Sequence, residues 1–456
     1  MGFSLDALGQ FPSTLYVQLC LPYGVKNPSS YPLIVKTIEN GLRRLSTAFP
    51  WVAGEVVVEG ACKGCSGTRK IKLTNKVPLV IKDLRNDPAV PTMDELRRTR
   101  FPMDSLDENV VAPCKSTTCS ESKSGSMTQT EPVFLVQINF IVGGLLLTFV
   151  GHHSAMDMTG ETEILRLLSK ACGNEPFSSE EIRIGNLDRS NIIPVLNDLF
   201  EPETELVHQL IKPSPKTLNS VDVKKTQQSV AHDCSWKCFI FPKSSLVTLK
   251  MLASRNRSDS AKFVSTDDSL TAFIFKSIIR ARLPRLSPTT RTTLTRCVNV
   301  RRYLGIPMNY PGNALHSTYH NIVTDKFVRE SHGNIASQLR LALDPSDLAY
   351  KTRALATYIN RIRDKSVLSY FANLDTSESV MLSSWAKMNC CDLDFNLGLG
   401  KPEVVRRPQC MPTEGLVYLL PQDRDGEIPA TICLRNEDME RLRADEEFIR
   451  YAVYVG

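Results

Sequence analysis

The chain has no apolar run of membrane-spanning length, and its first residues form no charged-then-apolar leader, because Asp6 and Gln10 interrupt them early. Asp6 also stands where myristoylation after Met1-Gly2 needs Ser or Thr. A cytoplasmic protein with no membrane partner is the expectation. The metal-binding spacings His-x-Glu and His-Glu-x-x-His are absent. Cys62-Lys63-Gly64-Cys65 is the one Cys-x-x-Cys, and neither Cys114/Cys119 nor Cys234/Cys238 supplies a matching second pair. Thirteen cysteines, an odd number at irregular spacing, read as free thiols, and no metal site is expected. There is no repeat at a fixed period. Strong charge of one sign is lacking too. The net +6 is scattered, with concentrations at 280–285, Arg301-Arg302 and Arg406-Arg407 and little aromatic interleaving, a poor nucleic-acid footprint. Such groups suit a small phosphorylated ligand or are simply solvated faces.

What is present is an ordinary globular composition, 42% hydrophobic and 23% charged over 456 residues, enough for two or three domains. Ile34, Ile38, Leu42 and Leu45 recur at helical spacing and predict a helix over 31–48, closed by Phe49-Pro50. A strand is expected over 51–58, and a hairpin over 133–142 and 145–150 around Gly143-Gly144. Residues 115–130, rich in Ser, Thr and Lys, predict an exposed loop. A second polar stretch, 212–232, holds Pro213 and Pro215 and reads as a crossover between domains 1–211 and 233–456. Beyond it the pattern predicts strands at 235–241, 293–300, 380–385, 416–420 and 430–434. Helices are expected at 242–253, 269–282, 326–343, 347–363 and 438–451, with N-caps for the 269–282 helix in Ser265-Thr266-Asp267-Asp268. Each half mixes helices and strands alike, so the expected fold class is α/β, two similar mixed-sheet domains facing one another.

The stretch Gly151-His152-His153-Ser154-Ala155-Met156-Asp157 follows a predicted strand end, where a polar cluster can reach a ligand. Imidazole titrates near neutrality and can take a proton and return it in one cycle. The competing reading is that the His-Asp pair caps the following helix, whose apolar face holds Ile164, Leu168 and Ala171.

Further segments break that tie. His153-Ser154-Ala155-Met156-Asp157 has the HxxxD spacing of the BAHD acyltransferases, and Asp394-Phe395-Asn396-Leu397-Gly398 resembles their DFGWG signature. Val298-Asn299-Val300-Arg301 is similar to the family's VDxR and Tyr310-Pro311-Gly312-Asn313 to its YFGN, with Ser383-Ser384-Trp385 at the family's distance before Asp394. Phe49-Pro50-Trp51-Val52-Ala53-Gly54 resembles the segment that opens the family's first long strand. Within the family, segments such as 166–172, 262–268, 381–387 and 398–403 resemble the branch that acetylates trichothecenes, fungal sesquiterpenoids. The chain departs from the pattern at Asn299, usually Asp, and at Asn396-Leu397, usually Gly-Trp.

The resemblance implies a chloramphenicol acetyltransferase-like fold with the active site in a channel between the two domains. It implies an acyl-CoA-dependent O-acyltransferase moving an acetyl group from acetyl-CoA, a co-substrate, to the 3-hydroxyl of a trichothecene; no cofactor is tightly bound and the protein is a monomer. The catalytic residues would be His153, as general base, and Trp385, whose indole N–H would face the oxyanion unless it is a core tryptophan. Asp157, Arg301 and Asp394 would be structural at the site, Asp157 pairing with Arg301, and His152 a loop residue. Ser265, Ser383 and Ser384 would contact coenzyme A, with capping and sheet-edge roles competing. The basic side chains of Lys401, Arg406 and Arg407 could attract its phosphates. The alternatives are transfer to another secondary-metabolite alcohol, a condensation-type domain fed by a carrier protein, or an inactive binding relative. Condensation domains usually carry Gly where this chain has Met158, and an inactive relative would have lost His153.

Overall fold

Residues 2–12, 15–117, 131–197, 199–211 and 233–456 are described by the structure, a computed structural model. The crossover expected at 212–232 and most of the polar loop, 118–130, lie outside them.

The first half is built on a four-stranded sheet in the order Tyr16–Gly24, Gly144–His152, Phe134–Ile141, Leu79–Asp83. The hairpin forms as its sequence predicts: Gly143 takes a φ of +75°, which a side chain would resist, and the strands pair antiparallel with Phe134 opposite Gly151. Both of these strands are buried along their whole length, and the polar Gln137 and Asn139 inside the first are hydrogen-bonded to one another and to the carbonyls of Val110 and Val111. The helices Tyr31–Ala48 and Met158–Cys172 pack on one another in the core beside this sheet. The apolar stripe Ile34, Ile38, Leu42 and Leu45 faces inward as its spacing requires. A smaller sheet, Gly2–Ser4, Thr68–Leu73 and Gly54–Glu59, lies alongside.

The second half carries a seven-stranded sheet. Its order is Leu315–Val323, Arg291–Asn299, Val380–Ser384, Leu416–Leu419, Ile428–Arg435, Cys234–Phe241, Val453–Tyr454. Val380–Ser384 runs parallel to both neighbours and the other pairs are antiparallel, giving the mixed sheets of the expected fold class. The helices Lys243–Arg255 and Thr266–Arg282 share a separate core with it.

The halves are interleaved as well as apposed. After Ser384 the chain leaves its sheet, and Trp385, Cys390, Phe395, Leu397 and Val405 enter the core of the first half. Phe395 stacks on Phe149 at 5.2 Å, and Arg406 exchanges backbone hydrogen bonds of 2.9 and 2.8 Å with Cys20, covering the edge of Tyr16–Gly24.

Several elements differ from the sequence reading. The helix expected over 326–343 is two, Thr324–Arg329 and His332–Leu341, because Glu330 is extended and Ser331 caps a new start by accepting from the Asn334 N–H. Asp445 divides 438–451 in the same way, into Asn436–Ala444 and Glu446–Tyr451. The expected strand 51–58 opens with a 3-10 turn, Pro50–Ala53, before Gly54–Glu59. Strand Leu315–Val323 had no sequence signal, since His316, Thr318, His320 and Asn321 break its apolar pattern. Among the described residues, no helix is long and apolar enough to cross a membrane.

Candidate active site

The strand Gly144–His152 ends at the boundary between the halves, and His153 is the first residue beyond it. Its backbone is held from both sides. The N–H donates to the Leu15 carbonyl at 2.8 Å, and the carbonyl accepts from Asn313 Nδ2 at 3.2 Å. The side chain lines a cavity of about 510 Å³ whose walls come from both halves: Phe11, Leu15, Tyr16 and Val17 from the first, and Cys297, Ser317, Tyr370, Ser383, Trp385 and Tyr418 from the second. Apolar groups dominate that lining, as suits a small hydrophobic ligand.

Burial pushes the His153 imidazole below its ordinary pKa, against the opposing pull of Asp157 and a hydrogen bond to its own backbone carbonyl. Of the two ring nitrogens only Nδ1 can reach that carbonyl, so the neutral ring keeps its proton there and leaves the Nε2 lone pair free. A neutral imidazole with an open acceptor on an apolar cavity is equipped to take a proton.

Asp157 does not face that task. It is the N-cap of helix Met158–Cys172, accepting from the Gly160 N–H at 2.8 Å, and both carboxylate oxygens are taken by Arg301, Nη1 to Oδ2 and Nη2 to Oδ1, each at 2.9 Å. Ala314 N–H adds a further bond at 2.8 Å. Burial alone would raise this carboxyl; the Arg301 charge and these hydrogen bonds outweigh it and hold the group below its usual range. Arg301 is fully buried, and it also donates to the carbonyls of Tyr310 and Gly312, at 3.0 and 2.7 Å. The pair therefore joins the loop after strand Arg291–Asn299, the turn at Tyr310–Asn313 and the HxxxD helix.

Asn299 accepts from Arg301 N–H at 3.0 Å and Nη1 at 3.2 Å, and donates to Thr159 Oγ1 at 3.1 Å. An amide serves this position without adding a second carboxylate beside Arg301. Asn396, at the usual Gly position of the second signature, adopts φ +55°, a conformation that Asn tolerates better than other side-chain-bearing residues.

A second buried carboxylate reinforces the turn. Asp6 accepts from Tyr310 Oη at 3.2 Å, Asn313 N–H at 3.0 Å and Gly9 N–H at 2.8 Å, and burial lifts its pKa to about 6 although Arg189 opposes this. Its position lay outside every motif, and nothing in the sequence singled it out for this role.

The other expected site residues divide. Trp385 lines the cavity, but its indole N–H donates to Ser383 Oγ at 3.0 Å, so the hydroxyl of Ser383 is the polar group presented beside it. Ser384 donates to Asp267 at 2.5 Å, and Ser265 is the N-cap of helix Thr266–Arg282 in a reciprocal box with Asp268; neither is among the cavity-lining residues. Asp394 is exposed, accepts from Asn396 N–H at 2.8 Å, and shapes its turn away from the cavity. His152 is buried: Nδ1 accepts from Ser154 N–H at 3.1 Å and Nε2 meets Glu131 at 3.2 Å, fixing the loop.

Of the three basic groups, Lys401 lies on a solvated face and the two arginines do not. Arg406 is buried and donates to the carbonyls of Phe101 and Arg100, whereas Arg407, also buried, lies 4.8 Å above the Tyr418 ring on the cavity wall. Lys401 is paired with Asp392 at 2.8 Å. Sequence reasoning missed Cys297, Ser317, Tyr370 and Tyr418, which reach the cavity from strands and loops without local signals. Among the described residues no three His, Cys, Asp or Glu side chains converge to hold a metal ion.

Two family models match the chain. One describes a trichothecene 3-O-acetyltransferase-like N-terminal domain and covers residues 15–172; the other, the transferase family, covers 103–449. Trichothecene 3-O-acetyltransferase TRI101 of Fusarium sporotrichioides is 47% identical across 99% of this chain and 97% of its own. A trichothecene 3-O-acetyltransferase of Saccharomyces cerevisiae is 45% identical across 99% and 95%. The crystal structure of F. graminearum TRI101 complexed with coenzyme A and deoxynivalenol superposes with a TM-score of 0.94 at 45% identity, covering all of both chains.

Proposed function

The chain belongs to the BAHD family of acyl-CoA-dependent O-acyltransferases, and from that premise we propose that it acetylates the 3-hydroxyl of a trichothecene by direct attack on acetyl-CoA, with His153 as general base. The observation that carries this reading is the position of the His153 side chain on an apolar cavity shared by the two halves, where burial favours its neutral form. The relatives supply the acceptor class: F. graminearum TRI101 has been crystallised with deoxynivalenol and with T-2 mycotoxin.

A thioester is already activated, so the chemistry needs a base, a donor for the oxyanion and correct placement. His153 Nε2 takes the alcohol proton as the oxygen attacks the acetyl carbonyl. The tetrahedral oxyanion then collapses, the C–S bond breaks, and the imidazolium returns its proton to the departing thiolate. An acetyl ester and free coenzyme A result, with no acyl-enzyme. Cys297 is the thiol on the cavity wall, but burial drives its pKa up to about 11, so it stays protonated and a poor nucleophile.

For the oxyanion, the reading assigns the donor to the Ser383 hydroxyl, oriented by the Trp385 indole, with Trp385 a positioning residue. Ser383→Ala is expected to lower kcat on the order of 10²-fold with KM little changed. Trp385→Phe, which keeps the ring and loses the N–H, should give a milder fall in kcat; steady-state kinetics of both variants checks this. Ser265 and Ser384 hold the helix cap and the Asp267 contact, and any role toward coenzyme A would act through these. Asp394 shapes its turn, and Asp157 with Arg301 holds the site loops. In this reading residues 1–211 and 233–456 are the two domains, joined through 212–232, and the protein is a monomer, which the cavity walls drawn from both halves of one chain support. In this reading the activity is cytoplasmic, which the free cysteines among the described residues support.

The test is a mass-spectrometric screen of deoxynivalenol, T-2 toxin and unrelated terpenoid and polyketide alcohols with acetyl-CoA. Addition of one acetyl group at the trichothecene 3-hydroxyl is expected. Acetylation confined to other alcohols would overturn the acceptor assignment and leave the reaction class.

A further inference from the structure

One sequence motif is not absorbed by acyl transfer, the Cys62-Lys63-Gly64-Cys65 segment. It forms a tight hairpin: Cys62 N–H donates to the Cys65 carbonyl at 3.0 Å, Cys65 N–H donates to the Cys62 carbonyl at 2.9 Å, and Gly64 takes φ +75° in the two-residue turn. Two residues that exchange both backbone bonds stand directly opposite, with Cα atoms about 5.5 Å apart and side chains on one face. That separation is inside the span of about 4.4–6.8 Å that a disulfide bridges, and closing the bond draws the two Cβ atoms in from about 5.5 Å to about 4 Å, which tightens the turn. Cys62 is the exposed cysteine among the described residues, and Cys65 is half-buried.

The hairpin also touches the segment that leads into the cavity wall. Ser66 N–H donates to the Arg363 carbonyl at 2.8 Å, Lys365 N–H donates to Ser66 Oγ at 2.8 Å, and Lys365 Nζ donates to the Gly67 carbonyl at 3.1 Å. Leu368 and Tyr370, immediately beyond, line the cavity that holds His153. On the other side of the hairpin, Arg69 Nη1 donates to Ser154 Oγ of the HxxxD loop at 3.1 Å.

We propose that Cys62 and Cys65 form a thiol–disulfide exchange site for a small disulfide oxidant of the glutathione class, and that their oxidation acts on the alcohol-binding wall through Ser66. The exposed Cys62 thiolate attacks glutathione disulfide, forming a mixed disulfide and releasing one glutathione thiolate. Cys65 thiolate then attacks Cys62 Sγ and expels the second. Two electrons pass from the protein to the oxidant, and the two thiol protons end on two glutathione molecules. The disulfide fixes the hairpin that bears Ser66. The effect on the alcohol rests on the acetyl-transfer reading; the disulfide does not.

The experiment equilibrates the full chain in graded mixtures of reduced and oxidised glutathione, blocks free thiols with iodoacetamide and maps the cysteine peptides by mass spectrometry. Expected is a Cys62–Cys65 peptide that has lost two hydrogens at ratios where the buried cysteines remain reduced, and a Cys62–glutathione adduct trapped in Cys65→Ser. Alkylation of both residues at every ratio overturns the site. In the second arm, KM for the alcohol is measured on reduced and oxidised protein. A shift of about twofold or more is expected, absent in Cys62→Ser and in Ser66→Ala, which still forms the disulfide. An unchanged KM in fully oxidised protein overturns the coupling to the wall. Lack of turnover in both redox states points instead to failure of the acetyl-transfer reading, with the mapping arm standing apart.

Discussion

His153→Ala is expected to lower kcat for acetyl transfer by about 10²–10⁴-fold, the contribution of a positioned general base, while its melting temperature stays close to that of the parent. The asymmetry follows from how the residue is held. The contacts that fix this loop are made by the His153 backbone, to Leu15 and from Asn313, and alanine keeps both. The ring itself borders an open cavity, so its loss enlarges that space and leaves no buried partner of another residue exposed. Activity assays with acetyl-CoA and deoxynivalenol, beside thermal denaturation, separate the two effects. Turnover within a few-fold of the parent would remove His153 from the mechanism.

Asp157→Ala should do the reverse in kind, striking the fold first. The substitution strips a buried guanidinium of its bidentate partner and leaves the Ala314 N–H and the helix N-terminus unsatisfied. Removing one member of a buried pair typically costs about 3–5 kcal/mol, and loss of an N-cap adds roughly 1 kcal/mol. For halves of about two hundred residues this corresponds to a fall in melting temperature on the order of 10 °C, with soluble yield and activity falling together. The acid dependence has the same origin. Because the folded pKa of Asp157 is depressed, its contribution is present above the unfolded carboxylate range and is lost as pH falls through the lower folded value. A variant that melts like the parent yet is inactive would instead place Asp157 in the chemistry.

These two residues also show what was legible beforehand. The spacing of His153 and Asp157, with Arg301 far along the chain, pointed to a candidate site and to a pair bracing it, and the structure joins Asp157 to Arg301 across 144 residues of sequence. The helix over 31–48 was readable because its stripe is strictly periodic. Asp394 carried a signature yet sits exposed in a turn, since a motif conserves local backbone shape as readily as contact with a ligand. Trp385 was visible as a candidate, but not the direction of its N–H; side-chain orientation is decided by tertiary packing, here by Ser383 two residues earlier. Arg406 and Arg407 read as surface charge because local sequence does not reveal that residues 385–410 run back over the first half. Cys297 and Tyr418 offered no signal, being ordinary strand residues until the halves close around them.

The central claim, that a neutral His153 accepts the alcohol proton, is tested most directly by the pH dependence of kcat/KM for acetyl transfer. Burial lowers the pKa of the ring, so the base form persists below the ordinary imidazole value of 6.5, and activity is lost only as pH falls through that lowered value. The predicted profile is a plateau through neutral pH with a single acid limb of unit slope that inflects below 6.5, and no such limb in the residual activity of His153→Ala. A profile without an acid limb, or an identical limb retained in His153→Ala, would contradict it.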